Sequence, residues 1–235
     1  HATEAFDRVL GKDPTHAGAL LARARLALGD RDPHRAVRLY EVYLTMHPGA
    51  TDVLYRMGQT YAATGRFDGA VSAFERAMAA GDSSAAVLAG LGHVYSMTGD
   101  IDAAVQAFGA ALRARPDSID LRHQLASTFE RGGQLDRAIE QYRLLLARRP
   151  DRHDLHDRIG QLLIAGQELE DESIYLARNE MANEAEAHLR QAVYLVDDYL
   201  PGHLHLAMLL AKQQVILEPI FDSCFVFGDQ EISLV

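Results

Sequence analysis

The sequence is poor in the residues that cross-linked and metal-stabilised folds depend on. Its 235 residues include one cysteine, Cys224. A single cysteine excludes a disulfide within the chain and any zinc site built from several cysteines. It also favours a reducing compartment, so the compartment that we expect is the cytoplasm, with the periplasm as the alternative.

Proline, basic residues and long apolar runs are also scarce. Only 7 prolines interrupt a chain that is rich in alanine, leucine and arginine, which favours helix over strand. The formal net charge of −10 argues against general binding to nucleic acid or to an anionic membrane, because both attract basic surfaces. No apolar run approaches the roughly 20 residues that cross a bilayer, so we expect no membrane insertion.

A period of 34 residues runs through the chain. Alanine occurs at 2, 36, 70, 104 and 138, and an aromatic residue follows each alanine four positions later. Aromatic residues are only 7% of the chain, so five of them in phase are not accidental. Glycine or alanine occupies a second phased position at 24, 58, 92, 126 and 160. Because the chain starts inside this pattern and without a methionine, we expect it to be a fragment or a processed form.

The segment GLGHVYSMTGDIDAAVQAFGAALRARP, residues 90–116, carries the pattern almost throughout. It resembles the motif of the tetratricopeptide repeat family, in which L-G-x-x-Y is followed by A-x-x-x-F and then by proline. The resemblance covers about residues 1–212. It implies an all-α fold, a right-handed α–α superhelix, or solenoid, of 34-residue helix-turn-helix repeats. One such helix pair cannot bury its own apolar face, so successive pairs must stack.

Local signals indicate where the helices of each pair begin and end. A glycine follows the first helix in three repeats, at a position that favours a left-handed conformation, and these residues are Gly65, Gly99 and Gly133. An aspartate falls in the first turn of the second helix, where a negative charge suits the helix dipole, and these residues are Asp68, Asp102 and Asp136.

We predict a solenoid over residues 1–213 and a non-repeat tail over 214–235. The solenoid contains a half repeat, five helix pairs and a final helix, which we expect to run to about Leu217. The fifth pair is interrupted near 166–184, because its second-helix alanine is Ala185 instead of residue 172, an insertion of 185 − 172 = 13 residues. Gly166 can end the first helix and Ser173 can cap an extended second helix. The insertion is interpreted either as a functional projection or as a tolerated surface addition.

No residue pattern indicates catalysis, and we expect no catalytic residue, no cofactor and no metal. His153 and His156 are three residues apart and could face the same way, but no third metal ligand is identifiable. His203 and His205 are two apart on a helix and face different ways. Cys224 lies in no catalytic motif and is typical of a small packed hydrophobe.

The resemblance implies that the first helix of each repeat lines a concave groove that binds peptides. The matching positions here are Arg25, Tyr55, Arg56, Gln59, His93, His123, Gln124, Ser127, Arg158 and Gln161. Arginine makes two hydrogen bonds to one carboxylate, and tyrosine provides rigid apolar area. We therefore expect a protein or peptide partner with acidic groups. Aspartates on or near the same face make the groove mixed in charge.

These features predict a scaffold for protein–protein interaction that is not an enzyme. The alternative is the accessory repeat region of a larger enzyme, such as a glycosyltransferase or a hydroxylase, whose catalytic domain lies outside this fragment. The tail, in which CFVF is predicted to be extended, has three interpretations of its own. It covers the last apolar face of the solenoid, begins a following domain, or docks into the groove of another copy and mediates self-association.

Overall fold

The computed structural model describes residues 2–169, 175–196 and 199–217, and every regular element in these ranges is an α-helix. This confirms the predicted all-α repeat fold. The twelve helices of the described ranges are α1 Ala2–Lys12, α2 Ala17–Gly29, α3 Pro33–Met46, α4 Thr51–Ala63, α5 Phe67–Ala79, α6 Ala85–Thr98, α7 Ile101–Ala114, α8 Ile119–Arg131, α9 Leu135–Leu146, α10 His153–Leu169, α11 Tyr175–Leu195 and α12 Leu200–Leu217.

The chain divides into two compact units, residues 1–141 and 142–235. In the first unit each helix from α1 to α7 packs against the next one along the chain, and α4 also contacts α6. In the second unit α10, α11 and α12 each contact the other two.

The phased alanines and aromatic residues form the core of the first unit. Ala36, Ala70 and Ala104 are completely buried, and Phe74 and Phe108 are 1% and 2% exposed. Burying one phenylalanine side chain stabilises a fold by up to about 3 kcal/mol. The period in the sequence is therefore the period at which large side chains enter the core. In the second unit the same pattern continues after the insertion with three fully buried residues, Ala185, Leu189 and Ala192.

Glycines end the first helices of the repeats, as predicted. Gly65, Gly99 and Gly133 have φ angles of 72°, 84° and 70°. Arg31 lies 34 residues before Gly65 and has a φ of 58°, the only positive φ of a non-glycine residue in the described part of the chain. A left-handed conformation costs a residue with a Cβ atom roughly 1–2 kcal/mol.

Acidic side chains begin the second helices. The carboxylates of Asp32 and Asp100 accept hydrogen bonds of 2.9 Å and 3.1 Å from the backbone N–H three residues later. Such caps satisfy N–H groups that have no partner within the helix. Asp68, Asp102 and Asp136 lie in the first turns of α5, α7 and α9, as predicted.

Gly166 does not end a helix, so that prediction was wrong. Helix α10 continues through it to Leu169, because a glycine inside a helix costs only about 1 kcal/mol relative to alanine. Helix α11 begins at Tyr175 and has 21 residues, against 12 to 14 for α3, α5, α7 and α9. Ser173 and the acidic residues 170–172 lie outside the described residues.

Helix α12 is Leu200–Leu217, and Pro219, which is expected to disfavour helix just after it, lies outside the described residues. The predictions for CFVF, for Cys224 and for the covering of the last apolar face fall on residues 218–235, which lie outside the described residues. Among the described helices, none combines the length and the apolar character that a bilayer crossing requires.

Candidate functional site

Three predicted groove residues lie together on α4. Arg56 and Gln59 are exposed, and Tyr55 is partly buried. The Gln59 Nε2 group donates a hydrogen bond of 2.9 Å to the Tyr55 hydroxyl. The Tyr55 ring packs against Phe74, with 5.8 Å between the ring centroids. Tyr55 is therefore held at both ends, and its orientation is fixed before any partner binds.

A cleft of about 490 Å³ lies beside this cluster. Arg56 and Gln59 line it from α4, Tyr40 lines it from α3, and Arg31 lines it from the turn before α3. We call it the arginine cleft. Its other lining residues are Leu28, Pro33, Thr60, Ala63 and Thr64.

Two predicted arginines lie near the Tyr40 phenol at this cleft. Burial raises the pKa of Tyr40, and the charges of Arg56 and Arg25 oppose that rise. The nearby charge of Asp52 adds to the rise. Positive charge thus gathers around a buried phenol, with one carboxylate close by. Two guanidinium groups in such a place can hold a carboxylate through charge-assisted hydrogen bonds.

The other four predicted residues of the first unit lie on α6 and α8. His93, His123 and Gln124 are exposed, and Ser127 is partly buried. None of them lines the arginine cleft. The structure therefore brings together the candidates of α4, places Arg25 near them, and leaves these four outside the cleft.

Arg158 and Gln161, the candidates of the second unit, belong to a network of polar side chains. An Arg158 N–H group donates a hydrogen bond of 2.7 Å to the Gln161 side-chain oxygen. Gln161 in turn donates one of 2.9 Å to the carboxylate of Asp157, which is only 4% exposed. A buried carboxylate is costly unless donors surround it, and Gln161 is one of them.

Two residues from the region of α12 supply further donors to Asp157. The Tyr199 hydroxyl donates a hydrogen bond of 3.0 Å, and His205 Nδ1 lies 2.9 Å from the other carboxylate oxygen. Burial first, and then the hydrogen bond to Asp157, raises the pKa of Tyr199 to about 12. Tyr199 therefore keeps its proton and remains a donor at physiological pH. We call Asp157, Gln161, Tyr199 and His205 the Asp157 network.

The structure places His153 and His156, the candidate metal pair, against different side chains. The His153 ring meets Tyr199 edge-on, with 4.7 Å between centroids. His156 Nδ1 lies 2.8 Å from His188 Nδ1 on α11. Within the described residues no three histidine, cysteine or acidic side chains form a group that could hold a metal.

A larger cleft of about 680 Å³, which the sequence did not predict, lies in the first unit. The Arg137 guanidinium, which lines it, lies over the Phe129 ring at 4.5 Å from the ring centroid. Its apolar lining has the residue types of a protein core, so no sequence pattern indicated a cleft there. Its lining includes Leu88, Leu91, Tyr95, Arg113 and Leu125.

Comparisons with known proteins agree with this architecture. Models described as tetratricopeptide repeat match residues 2–51, 51–117 and 95–163. YrrB, a TPR protein with an unusual peptide-binding site, is 21% identical with a TM-score of 0.66, over 90% of this chain and 99% of YrrB. A MamA structure is 19% identical with a TM-score of 0.65, over 77% of this chain and 92% of MamA.

MamA from Desulfovibrio magneticus RS-1 is 17% identical with a TM-score of 0.64, over 78% of this chain and 96% of that one. No curated protein matches the chain. At these identities the structural likenesses show the fold alone. The repeat matches together span residues 2–163, which contain the phased alanines, the buried aromatic residues and the left-handed glycines. The chain belongs to the tetratricopeptide repeat family.

Proposed function

We propose that this chain binds an extended peptide through the first unit and that the arginine cleft receives a carboxylate of that peptide. Its family membership makes the chain a protein-interaction scaffold, and partners of such scaffolds are proteins or peptides. The proposed role is binding without catalysis. YrrB is described as having a peptide-binding site, so there is a precedent for peptide binding in this fold.

The observation that carries the proposal is that Arg31 and Arg56 both line the arginine cleft, while the charge of Arg25 also acts on Tyr40 in its wall. The chain as a whole has a formal net charge of −10, so an acidic peptide is repelled by most of its surface. A local cluster of arginines makes the approach of a carboxylate favourable at one place. Binding should therefore weaken as salt is added, because exposed charges are screened over about 10 Å at 0.1 M salt.

Tyr55 supports the same proposal because its ring offers a peptide an apolar surface. Its ring is fixed by Phe74 and by Gln59, so a partner does not have to immobilise it on binding. Rigid aromatic side chains are common anchors in interfaces. We propose that Tyr55 packs against an apolar residue of the peptide while Arg56 holds its carboxylate.

The remaining candidates are proposed as separate contacts. His93, His123, Gln124 and Ser127 are candidates for a polar contact on α6 and α8 of the first unit. Arg158 and Gln161 are candidates in the second unit, where the bond between them and the bond from Gln161 to Asp157 leave less capacity for a ligand.

The test begins with a displayed library of random 12-residue peptides, selected on the full chain. A synthetic copy of a selected peptide is then titrated calorimetrically against wild type, Arg56→Glu and Arg38→Glu. Arg38→Glu is the matched control, because it makes the same change of charge at a residue of α3 that is exposed and lines no described cleft. We expect Arg56→Glu to lower affinity at least about tenfold, the effect of losing one hydrogen bond to a charged group.

Arg38→Glu should bind within about twofold of wild type, since an exposed charge elsewhere changes binding little. Selected peptides should contain Asp or Glu, and replacing these by Asn or Gln should weaken binding as much as Arg56→Glu does. Selection of peptides without acidic residues would contradict the proposal. So would equal binding by the wild type and Arg56→Glu proteins when circular dichroism shows both to be folded.

A further inference from the structure

Two histidines meet between α10 and α11 of the second unit. His156 Nδ1 and His188 Nδ1 are 2.8 Å apart, which is a hydrogen-bonding distance. Their rings are tilted by 38°, with 5.1 Å between centroids. Both side chains are partly buried. A hydrogen bond at this place requires one Nδ1 to carry a proton and the other to carry none.

The surroundings decide which nitrogen carries the proton. His156 Nε2 lies 3.2 Å from the carbonyl oxygen of Pro150, which can only accept a hydrogen bond. His156 therefore has its proton on Nε2, and its Nδ1 is an acceptor when the ring is neutral. It follows that His188 Nδ1 is the donor, and that Nε2 of the neutral His188 ring is unprotonated.

The first added proton and the second have different effects. The first can bind the bare Nε2 of His188, which lies 3.7 Å from a carboxylate oxygen of Glu184, and it leaves the bond between the rings intact. The second must bind Nδ1 of His156. Two N–H groups would then point at each other across 2.8 Å, and two positive rings would repel each other in a partly buried place.

Other charges around the two rings do not remove this conflict. On α11, Glu184 attracts a proton to His188, but the same carboxylate is paired with the guanidinium of Arg143 from α9. The charge of Arg143 also acts against protonation of His188. On α10, the adjacent carboxylate of Asp157 is engaged by Tyr199 and the other donors of its network.

We propose that His156 and His188 form a pH-sensitive contact between α10 and α11, closed while at least one ring is neutral and opened when both are protonated. Mild acid then loosens the second unit and leaves the first unit unchanged. The proposal concerns α10 and α11 themselves and is independent of the peptide-binding function proposed above.

The direction of the pH dependence follows from both imidazoles. Burial is the main cause that lowers the pKa of His156, and also of His188, where the charge of His156 lowers it further. The unfolded chain, with histidine pKa values near 6.5, therefore takes up protons first as the pH falls. The contribution of the histidine pair to stability is complete above about pH 6.5 and is lost progressively below it.

Hydrogen exchange measured by mass spectrometry on the full chain tests the proposal. Exposure times at pH 7.5 and pH 5.0 are scaled for the intrinsic exchange rate, and the amides of α4 to α7 serve as the internal reference. In wild type, protection of α10 and α11 relative to this reference should fall about tenfold at the lower pH. That ratio corresponds to about 1.4 kcal/mol, the order of the net contribution of one hydrogen bond.

His188→Gln and His156→Gln keep hydrogen-bonding capacity but cannot be protonated, so their relative protection should change less than about twofold with pH. His34→Gln removes an exposed histidine from α3 in the first unit, and it should retain the tenfold change. If relative protection in wild type does not depend on pH, the proposal is wrong. It is equally wrong if both glutamine variants of the pair retain the full change.

A proton NMR titration of wild type keeps the proposal testable even if a variant does not fold. Among the 11 histidines of the chain, two should titrate below the ordinary value of about 6.5 and influence each other. His156 and His188 titrating independently near 6.5 would overturn the proposal.

Discussion

The ring of Phe108 lies 2.9 Å from the point where a Cβ atom on Gly92 would stand. This is closer than a Cβ atom approaches a ring carbon in real structures. The relationship recurs one repeat earlier, where a Cβ atom on Gly58 would be 2.7 Å from Phe74. In each of these two repeats the first helix lies this close to the second because its glycine has no side chain.

We expect Gly92→Ala to destabilise the first unit. Alanine favours helix over glycine by about 1 kcal/mol, but inserting a methyl group into a packed core costs typically about 1–3 kcal/mol. The steric cost should be the larger, since the Phe108 ring is fully enclosed and cannot move aside. The measurement is the midpoint of urea unfolding followed by circular dichroism, which should fall.

Gly109→Ala is the matched control for that change. Gly109 also lies within a helix, α7, but a Cβ atom there would meet only a terminal nitrogen of Arg113, at 3.8 Å. Only the helix propensity then changes, so the urea midpoint should rise and the free energy of unfolding should increase by up to about 1 kcal/mol. Midpoints that move in the same direction for both variants would contradict this account of the repeated spacing between glycine and phenylalanine.

The sequence predicts the helices of this chain well because their packing repeats locally. Ala104 and Phe108 are four residues apart, so they lie on the same side of α7 and are buried together. Gly99 has the left-handed conformation that its place after α6 requires. The pairing of Tyr55 with Gln59 also follows from a spacing of four.

The interactions that the sequence did not predict join residues far apart along the chain. Asp157 and His205 are 48 positions apart, and His156 and His188 are 32 apart across the insertion. Their meeting depends on how α10 packs against α11 and α12. A period in one sequence carries no information about which polar side chains meet after such packing, so the sequence indicated only His153 as a partner for His156.

Arg31 leads to a second prediction, since it occupies a place that glycine fills in other repeats. We expect Arg31→Gly to stabilise the first unit by about 0.5–1 kcal/mol. Glycine removes the cost of a left-handed conformation, roughly 1–2 kcal/mol, and part of this gain is offset by the greater freedom of glycine in the unfolded chain. The midpoint of urea unfolding is again the measurement.

Two further variants isolate the backbone effect at Arg31. Arg31→Ala also removes the guanidinium group but keeps a Cβ atom at φ 58°, so it should not reproduce the gain. Arg38→Gly places glycine inside α3 and should lower stability by about 1 kcal/mol. A gain of the same size from Arg31→Ala would show that the arginine side chain, and not the backbone conformation, is unfavourable at this position.

The hydroxyl of Tyr199 gives a third prediction, in the second unit. Tyr199→Phe removes one of the donors to the buried Asp157 carboxylate and should lower the stability of the second unit by about 1 kcal/mol. Tyr194→Phe is the matched control, because the Tyr194 side chain is 79% exposed. This variant should change the stability of the second unit by less than about 0.5 kcal/mol. Hydrogen exchange of α10 and α12 in the full chain measures both effects.

The same variant has a characteristic pH dependence. Because the pKa of Tyr199 is raised to about 12 in the folded chain, the unfolded chain loses this proton first, near the ordinary tyrosine pKa of about 10. The advantage of wild type over Tyr199→Phe should therefore be complete up to about pH 9 and decline as the pH rises from about 10 toward 12. An advantage that is unchanged across this range would mean that the hydroxyl acts through packing and not as a donor to Asp157.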